Sequence, residues 1–257
     1  MLVVAGVTGV GKSTALEGLG RRLRCILLPD RRQLADRIVF PLVQDEVGEP
    51  RRPVRDRVER FRLTALYRER HRGGMAHALS RLRVDPAAEG LLVFDGLRGA
   101  EEIGWAIEHL SRARFLALHA PEAVRLFRLL DRGEAFDRAE LPVGAAPPRA
   151  GSSVASRGDA WGAAATLAAS VPGLDAVVGR DEIERLLRSP ALDGVSLDEV
   201  ARKAAILVEE ARNYDPRAAV RLLEESLDAR RRLVIDTSAL GRDEVVDRVV
   251  EWLERPS

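Results

Sequence analysis

The residues best suited to chemistry stand in the run Gly6 to Ser13, GVTGVGKS. This is a full match to G-x-x-x-x-G-K-[ST], set between the apolar run Leu2–Ala5 and a helical pattern, where the mechanism of that motif needs it. Glycines let the backbone turn tightly enough to aim N–H groups at phosphate oxygens, and the helix that follows adds the positive end of its dipole. The spacing predicts that Gly6, Thr8, Gly9, Val10, Gly11, Lys12, Ser13 and Thr14 hold the phosphates of ATP. Lys12 would reach the β and γ oxygens, and the Ser13 hydroxyl would meet Mg²⁺. Of 41 basic residues only Lys12 and Lys203 are lysine. An arginine fork is too bulky for so close a loop, whereas an ammonium on a flexible stem can cross it.

Such a loop needs a partner acid at the end of another buried strand. LLVFDG supplies Asp95, either as a metal-associated carboxylate beside Ser13 or as a general base beside Lys12.

These residues need a frame to hold them. Leu2–Ala5, 25–28, 91–94, 115–119 and Arg232–Asp236 read as buried strands. Helical spacing predicts helices over 13–24, 101–110, 121–131, 181–187, 197–212, 216–229 and 243–253. A longer one over 54–82 breaks at Gly73 and Gly74, and a weaker pattern covers 33–47. Residues 141–173, rich in Ala, Gly, Pro and Ser, read as a mobile loop or lid. Strands alternating with helices imply an α/β fold with a mostly parallel sheet covered on both faces. Ligands bind such sheets at the carboxyl ends of the strands, and Gly6, Asp30, Asp95, His119 and Asp236 all fall there.

The segments VFDGLRGAEEI and HAPEAVRLFRLLDRGEAFD resemble a family of P-loop kinase-like proteins related to dephospho-CoA kinase and adenylate kinase. Asp95, Gly96, Arg98 and Glu102 match its first element, and Arg125, Arg128, Arg132, Gly133 and Asp137 its second; Glu134 and Phe136 depart from it. The resemblance implies a three-layer P-loop NTPase fold of nucleotide-kinase type, with a helical insertion and a C-terminal helical region. It also implies lid arginines, chiefly Arg128 and Arg132, that neutralise the transferring phosphoryl group. Arg125, Arg128 and Arg132 lie at i, i+3 and i+7, on one helix face. In this architecture the acceptor sits between the second strand and a helical insertion. That places Asp30, Arg31 and Arg98 at a small anionic or nucleotide-like acceptor, and leaves Asp30 open as a plain turn residue. Residues 51–83 carry eleven arginines against Asp56, Glu59 and Glu69, a local +8 that suits an anion and also a nucleic acid or protein partner.

The organisation expected is one main core over 1–257. Its appendages are a basic insertion at 48–85, a lid and flexible loop at 125–173, and a helical insertion at 180–230. A formal charge of +1 argues against a one-signed field over the whole surface. Aromatic residues at 4% argue against a base-stacking surface, and Phe61 and Tyr67 read as core. Cys25 stands alone, so no internal disulfide forms, and it reads as a small buried hydrophobe. His71, His77 and His119 read as structural. With no bilayer-length apolar run and no basic leader, the expected location is cytoplasmic. The absence of an N/T-K-x-D motif speaks against a GTPase, and glycine after Asp95 against a ring-forming motor. A kinase, a regulatory ATPase and a nucleotide-binding scaffold remain.

Overall fold

In the computed structural model, which describes residues 1–85, 87–131, 160–192 and 194–255, helices and strands alternate along much of the chain. β1 (Leu2–Ala5), α1 (Lys12–Arg22) and β2 (Cys25–Leu27) come first. There follow α2 (Arg31–Leu34), a π turn (Ala35–Val39), α3 (Phe40–Glu46), α4 (Arg57–Arg70) and α5 (Gly74–Ser80). Next are β3 (Leu91–Leu97), α6 (Ala100–His109), β4 (Arg114–His119) and α7 (Glu122–Asp131). Then come α8 (Ala160–Ser170), α9 (Leu174–Val177), α10 (Arg180–Leu187), a 3-10 turn (Pro190–Leu192) and α11 (Leu197–Asn213). α12 (Pro216–Ser226), β5 (Arg232–Asp236) and α13 (Arg242–Glu254) follow.

The strands form one parallel sheet in the order β2-β3-β1-β4-β5. Their β-branched and leucine-rich runs suit it, because a parallel strand is buried on both faces. Val3, Ala5, Phe94, Phe115 and Ala117 pack with Met75 and Leu79 of α5, Ile103 and Ala106 of α6, and Ala219 and Leu223 of α12. Leu2, Val4 and Leu116 are as fully buried and, by the alternation of the pleat, face the other way. There α1 and α13 pack on each other, with α13 against β5. A Cβ at Gly18 of α1 would lie 2.4 Å from Val246 of α13, so glycine is what lets these two helices approach.

Two compact units emerge. One comprises Met1–Val7, Gly11–His119 and Asp215–Ser257; the other comprises Thr8–Val10 and Ala120–Tyr214. The sheet lies wholly in the first. The second has its own apolar cluster, including Leu126 and Leu129 of α7, Ala164 and Leu167 of α8, Ile183 and Leu187 of α10, and Val200 and Leu207 of α11. Two cores therefore stand where the sequence reading expects one, and the stretch 180–230 divides between them, α12 belonging with the sheet.

Two further expectations change. Residues 160–170, read as part of a loop, form α8. Its alanines hid a narrow apolar stripe in which Ala160, Ala164 and Leu167 are buried at helical spacing. Cys25 is half-buried on the edge strand β2, not a core residue. Of the lid and flexible loop expected at 125–173, residues 132–159 lie outside the described residues. Among the described residues no helix is long and apolar enough to cross a membrane.

Candidate functional site

The glycine-rich segment begins where β1 ends. Gly6 and Gly11 have φ of 147° and 90°, backbone that residues with a Cβ rarely adopt, so the sequence needs glycine at both. Gly11 is the N-cap of α1, with no side chain capping the helix start, and no acid lies in the first turn. The first turn of α1 therefore brings no carboxylate of its own to the positive end of the helix dipole. The Lys12 ammonium donates to the carbonyl of Val7 at 3.0 Å and stands 3.9 Å from Asp95 Oδ1. Ser13 is exposed and Thr14 half-buried on the same turn.

Asp95 lies inside β3, which continues to Leu97, beyond the point where the sequence reading ends the strand. Val4 is opposite Asp95 and Ala5 is opposite Leu97, so Gly96 is the extra residue of a bulge. A Cβ at Gly96 would fall 2.3 Å from the Phe94 ring, which explains why glycine follows the acid. Burial raises the pKa of the Asp95 carboxyl, opposed by the cationic Lys12 and then Arg98.

The expected acceptor residues are used differently. Asp30 caps α2, accepting from the Gln33 N–H at 2.8 Å, while the Gln33 side chain accepts from the Asp30 N–H. This is the turn-residue reading. Arg31 donates two nitrogens to Glu102, at 2.6 and 3.0 Å, and one of them also to the Gly96 carbonyl at 2.5 Å. Glu102, 6% exposed, further accepts from the N–H groups of Met75 and Arg98. A buried carboxylate with four donors is a structural hub, and the Arg31 fork is committed to it.

The basic segment is less positive than its own count suggests. Arg51, Arg60 and Arg70 pair with Asp45, Asp36 and Glu46, acids that precede the segment, and Arg52 pairs with Glu59. Tyr67 is fully buried, as expected, and burial pushes its hydroxyl up to about 12. It bonds His77 Nδ1 at 2.8 Å, and His77 stacks on His71 with centroids 4.7 Å apart. The side chain of Phe61 lies outside the described residues.

In the other unit, Thr8–Val10 rests on α7 and α11. Glu210 accepts from the Thr8 N–H at 3.1 and 3.2 Å and from the Thr8 hydroxyl at 2.5 Å. Arg125 Nε donates to the Thr8 carbonyl at 2.8 Å, and its Nη2 to Glu210 at 2.6 Å. Arg128 donates to the Gly9 carbonyl at 3.3 Å. Arg125 and Glu210 are 3% and 7% exposed. Burial lowers the pKa of Arg125, opposed mainly by Glu210. Arg125 is thus an interior residue and not a member of a solvent-facing lid row. Arg132, Gly133, Glu134, Phe136 and Asp137 lie outside the described residues.

Sequence reasoning missed Glu210. One signal existed: Lys203, Leu207 and Glu210 fall at i, i+4 and i+7 of α11, one face carrying two charges and a leucine, and all three are buried. Among the described residues no group of three or more His, Cys, Asp or Glu is arranged to hold a metal. The Ser13 hydroxyl, with or without Asp95, nevertheless suits magnesium, which takes one or two protein oxygens and fills its remaining positions from water and phosphate. Comparisons with protein-family models and with curated proteins find no match to this chain.

Proposed function

We propose that the protein is a Mg-ATP-dependent phosphotransferase of the three-layer P-loop type, a nucleotide-kinase relative acting on a small anionic or nucleotide-like acceptor. One observation carries the reading: Lys12, on the first turn of a helix whose start no side chain caps, bonds its own loop at Val7 and faces Asp95 at 3.9 Å. Positive-φ glycines at positions 6, 9 and 11 supply the curvature a phosphate cradle requires.

In this reading Gly6 and Gly9 to Thr14 bind the phosphates, Lys12 holds the β and γ oxygens, and Thr8, expected among them, instead gives both its donors to Glu210. Ser13 would hold magnesium, which supplies charge neutralisation when bound, and Asp95 acts as the base rather than as a second ligand. An acceptor oxygen attacks the γ phosphorus, the bond to the ADP oxygen breaks, and Asp95 takes the acceptor proton. A carboxyl raised by burial is a better base for that step than a solvated one. Arg128 and Arg132 neutralise the transferring group, and Arg98 contributes to the acceptor side.

Calorimetry with Mg·ATP tests the first half, and absence of binding ends the reading. Coupled ADP-release assays across nucleotides, coenzyme precursors and sugars test the second, with acceptor-dependent release expected. The internal engagement of Asp30 and Arg31 favours a second reading, a regulatory ATPase or nucleotide-binding scaffold with a protein or nucleic-acid partner. Acceptor-independent turnover raised by such a partner would select it.

A further inference from the structure

We propose that Arg125 and Glu210 are positioning residues that set the peptide planes of Thr8–Val10 for phosphate binding. This rests on the nucleotide reading above.

The peptide bonds of the described residues are all trans, so each carbonyl points opposite to the N–H that follows it. The Val7 carbonyl accepts from Lys12, and the Thr8 N–H of the same peptide donates to Glu210. The Thr8 carbonyl accepts from Arg125, so the Gly9 N–H points away from the Arg125 guanidinium. The Gly9 carbonyl accepts from Arg128, so the Val10 N–H points away from that side chain as well. Three consecutive peptide planes are oriented by side chains rather than left to the loop's own preferences.

A buried ion pair is a poor source of stability, because desolvation offsets most of the Coulomb attraction, and apolar side chains of the same volume often serve as well. What apolar side chains cannot do is give a backbone carbonyl and amide fixed partners. Glu210 takes the Thr8 N–H, the Thr8 hydroxyl and the Arg125 guanidinium together, while Arg125 bonds Glu210 and the Thr8 carbonyl. Gly9 fits the same account: at φ 83° its missing Cβ would stand 3.0 to 3.1 Å from the Arg125 backbone, so α7 lies directly against the loop.

The test compares the native chain, Glu210→Gln, and the double variant Arg125→Met/Glu210→Leu. Mg·ATP affinity is read by calorimetry, Thr8 amide exchange by NMR, and melting without nucleotide by circular dichroism. Thr8 exchange should be slow in the native chain, faster in Glu210→Gln, which keeps one acceptor, and fastest in the double variant. Mg·ATP should bind roughly tenfold or more weakly to the double variant than to the native chain, the size expected for losing a charged hydrogen bond, with a smaller loss for Glu210→Gln. Melting of the double variant should stay near native. Native affinity with slow Thr8 exchange in a folded double variant overturns the proposal. If the double variant does not fold, Glu210→Gln decides by the same two readouts. If the native chain fails to bind Mg·ATP, the nucleotide reading falls, and Thr8 exchange alone decides whether the pair orients the loop.

Discussion

Lys12 Nζ lies 3.9 Å from Asp95 Oδ1, close enough for attraction and too far for a direct hydrogen bond. The ammonium bonds the Val7 carbonyl instead, at 3.0 Å. The two charges thus face one place without neutralising each other by direct contact, an arrangement suited to a cation that binds phosphate beside an anion that accepts a proton.

Position 12 should not tolerate arginine. A planar fork cannot both replace the Val7 bond and cross so tight a loop, so Lys12→Arg is expected to lose Mg·ATP affinity by about tenfold or more, close to Lys12→Ala. Calorimetry on both variants checks it. Native-like affinity in Lys12→Arg would refute the geometric explanation.

Asp95 makes a pH prediction. Its folded pKa is raised, chiefly by burial, so the native state holds the proton more tightly than the unfolded chain does. Stability contributed by this group therefore falls as pH rises from the ordinary carboxylate value to the raised one, and the loss is complete above it. Asp95→Asn should raise the melting temperature at neutral pH, with the gain shrinking in acid. Under the proposed kinase reading, turnover of the native chain should rise with pH through the same raised pKa, and Asp95→Asn should abolish it. Parallel melting and rate profiles read both.

Arg31 separates binding from structure. Removing Glu102 leaves the half-buried Arg31 charge and two backbone N–H groups without their carboxylate, so Glu102→Ala should destabilise the fold by about 3 kcal/mol or more. Arg31→Ala should destabilise it comparably, by urea unfolding. A stable Arg31→Ala variant with a selective rise in acceptor KM would restore Arg31 to substrate binding.

Gly9→Ala brings two penalties: the left-handed φ, and a Cβ 3.0 to 3.1 Å from the Arg125 backbone. A loss of about 1–3 kcal/mol is expected by chemical denaturation, with Mg·ATP affinity falling as well. Gly48→Ala is the control, since its Cβ meets nothing within 4 Å and only the backbone strain remains.

Much of the frame was legible before any coordinates. Continuous β-branched runs at Leu2–Ala5 and Arg232–Asp236, and glycine at positions 6, 9 and 11, leave few alternatives, because burial and backbone sterics act locally. Residues 160–170 misled because an alanine stripe is a weak hydrophobic signal, although alanine is the strongest helix former. The basic run 51–83 misled because three of the acids that pair with it precede it in the chain.

By itself the sequence determined a parallel α/β sheet, a glycine-rich loop ahead of α1, and the pair of Lys12 with an acid near the end of β3. Periodicity, glycine conformation and a short motif are properties of neighbouring residues, and a linear reading carries them. Only the tertiary structure decided that Asp30 caps a helix, that Arg31 belongs to Glu102, and that Arg125 meets Glu210 beneath Thr8. Those are choices of partner among many arginines and carboxylates of similar intrinsic affinity. Burial and geometry make them, by bringing together residues far apart in the chain.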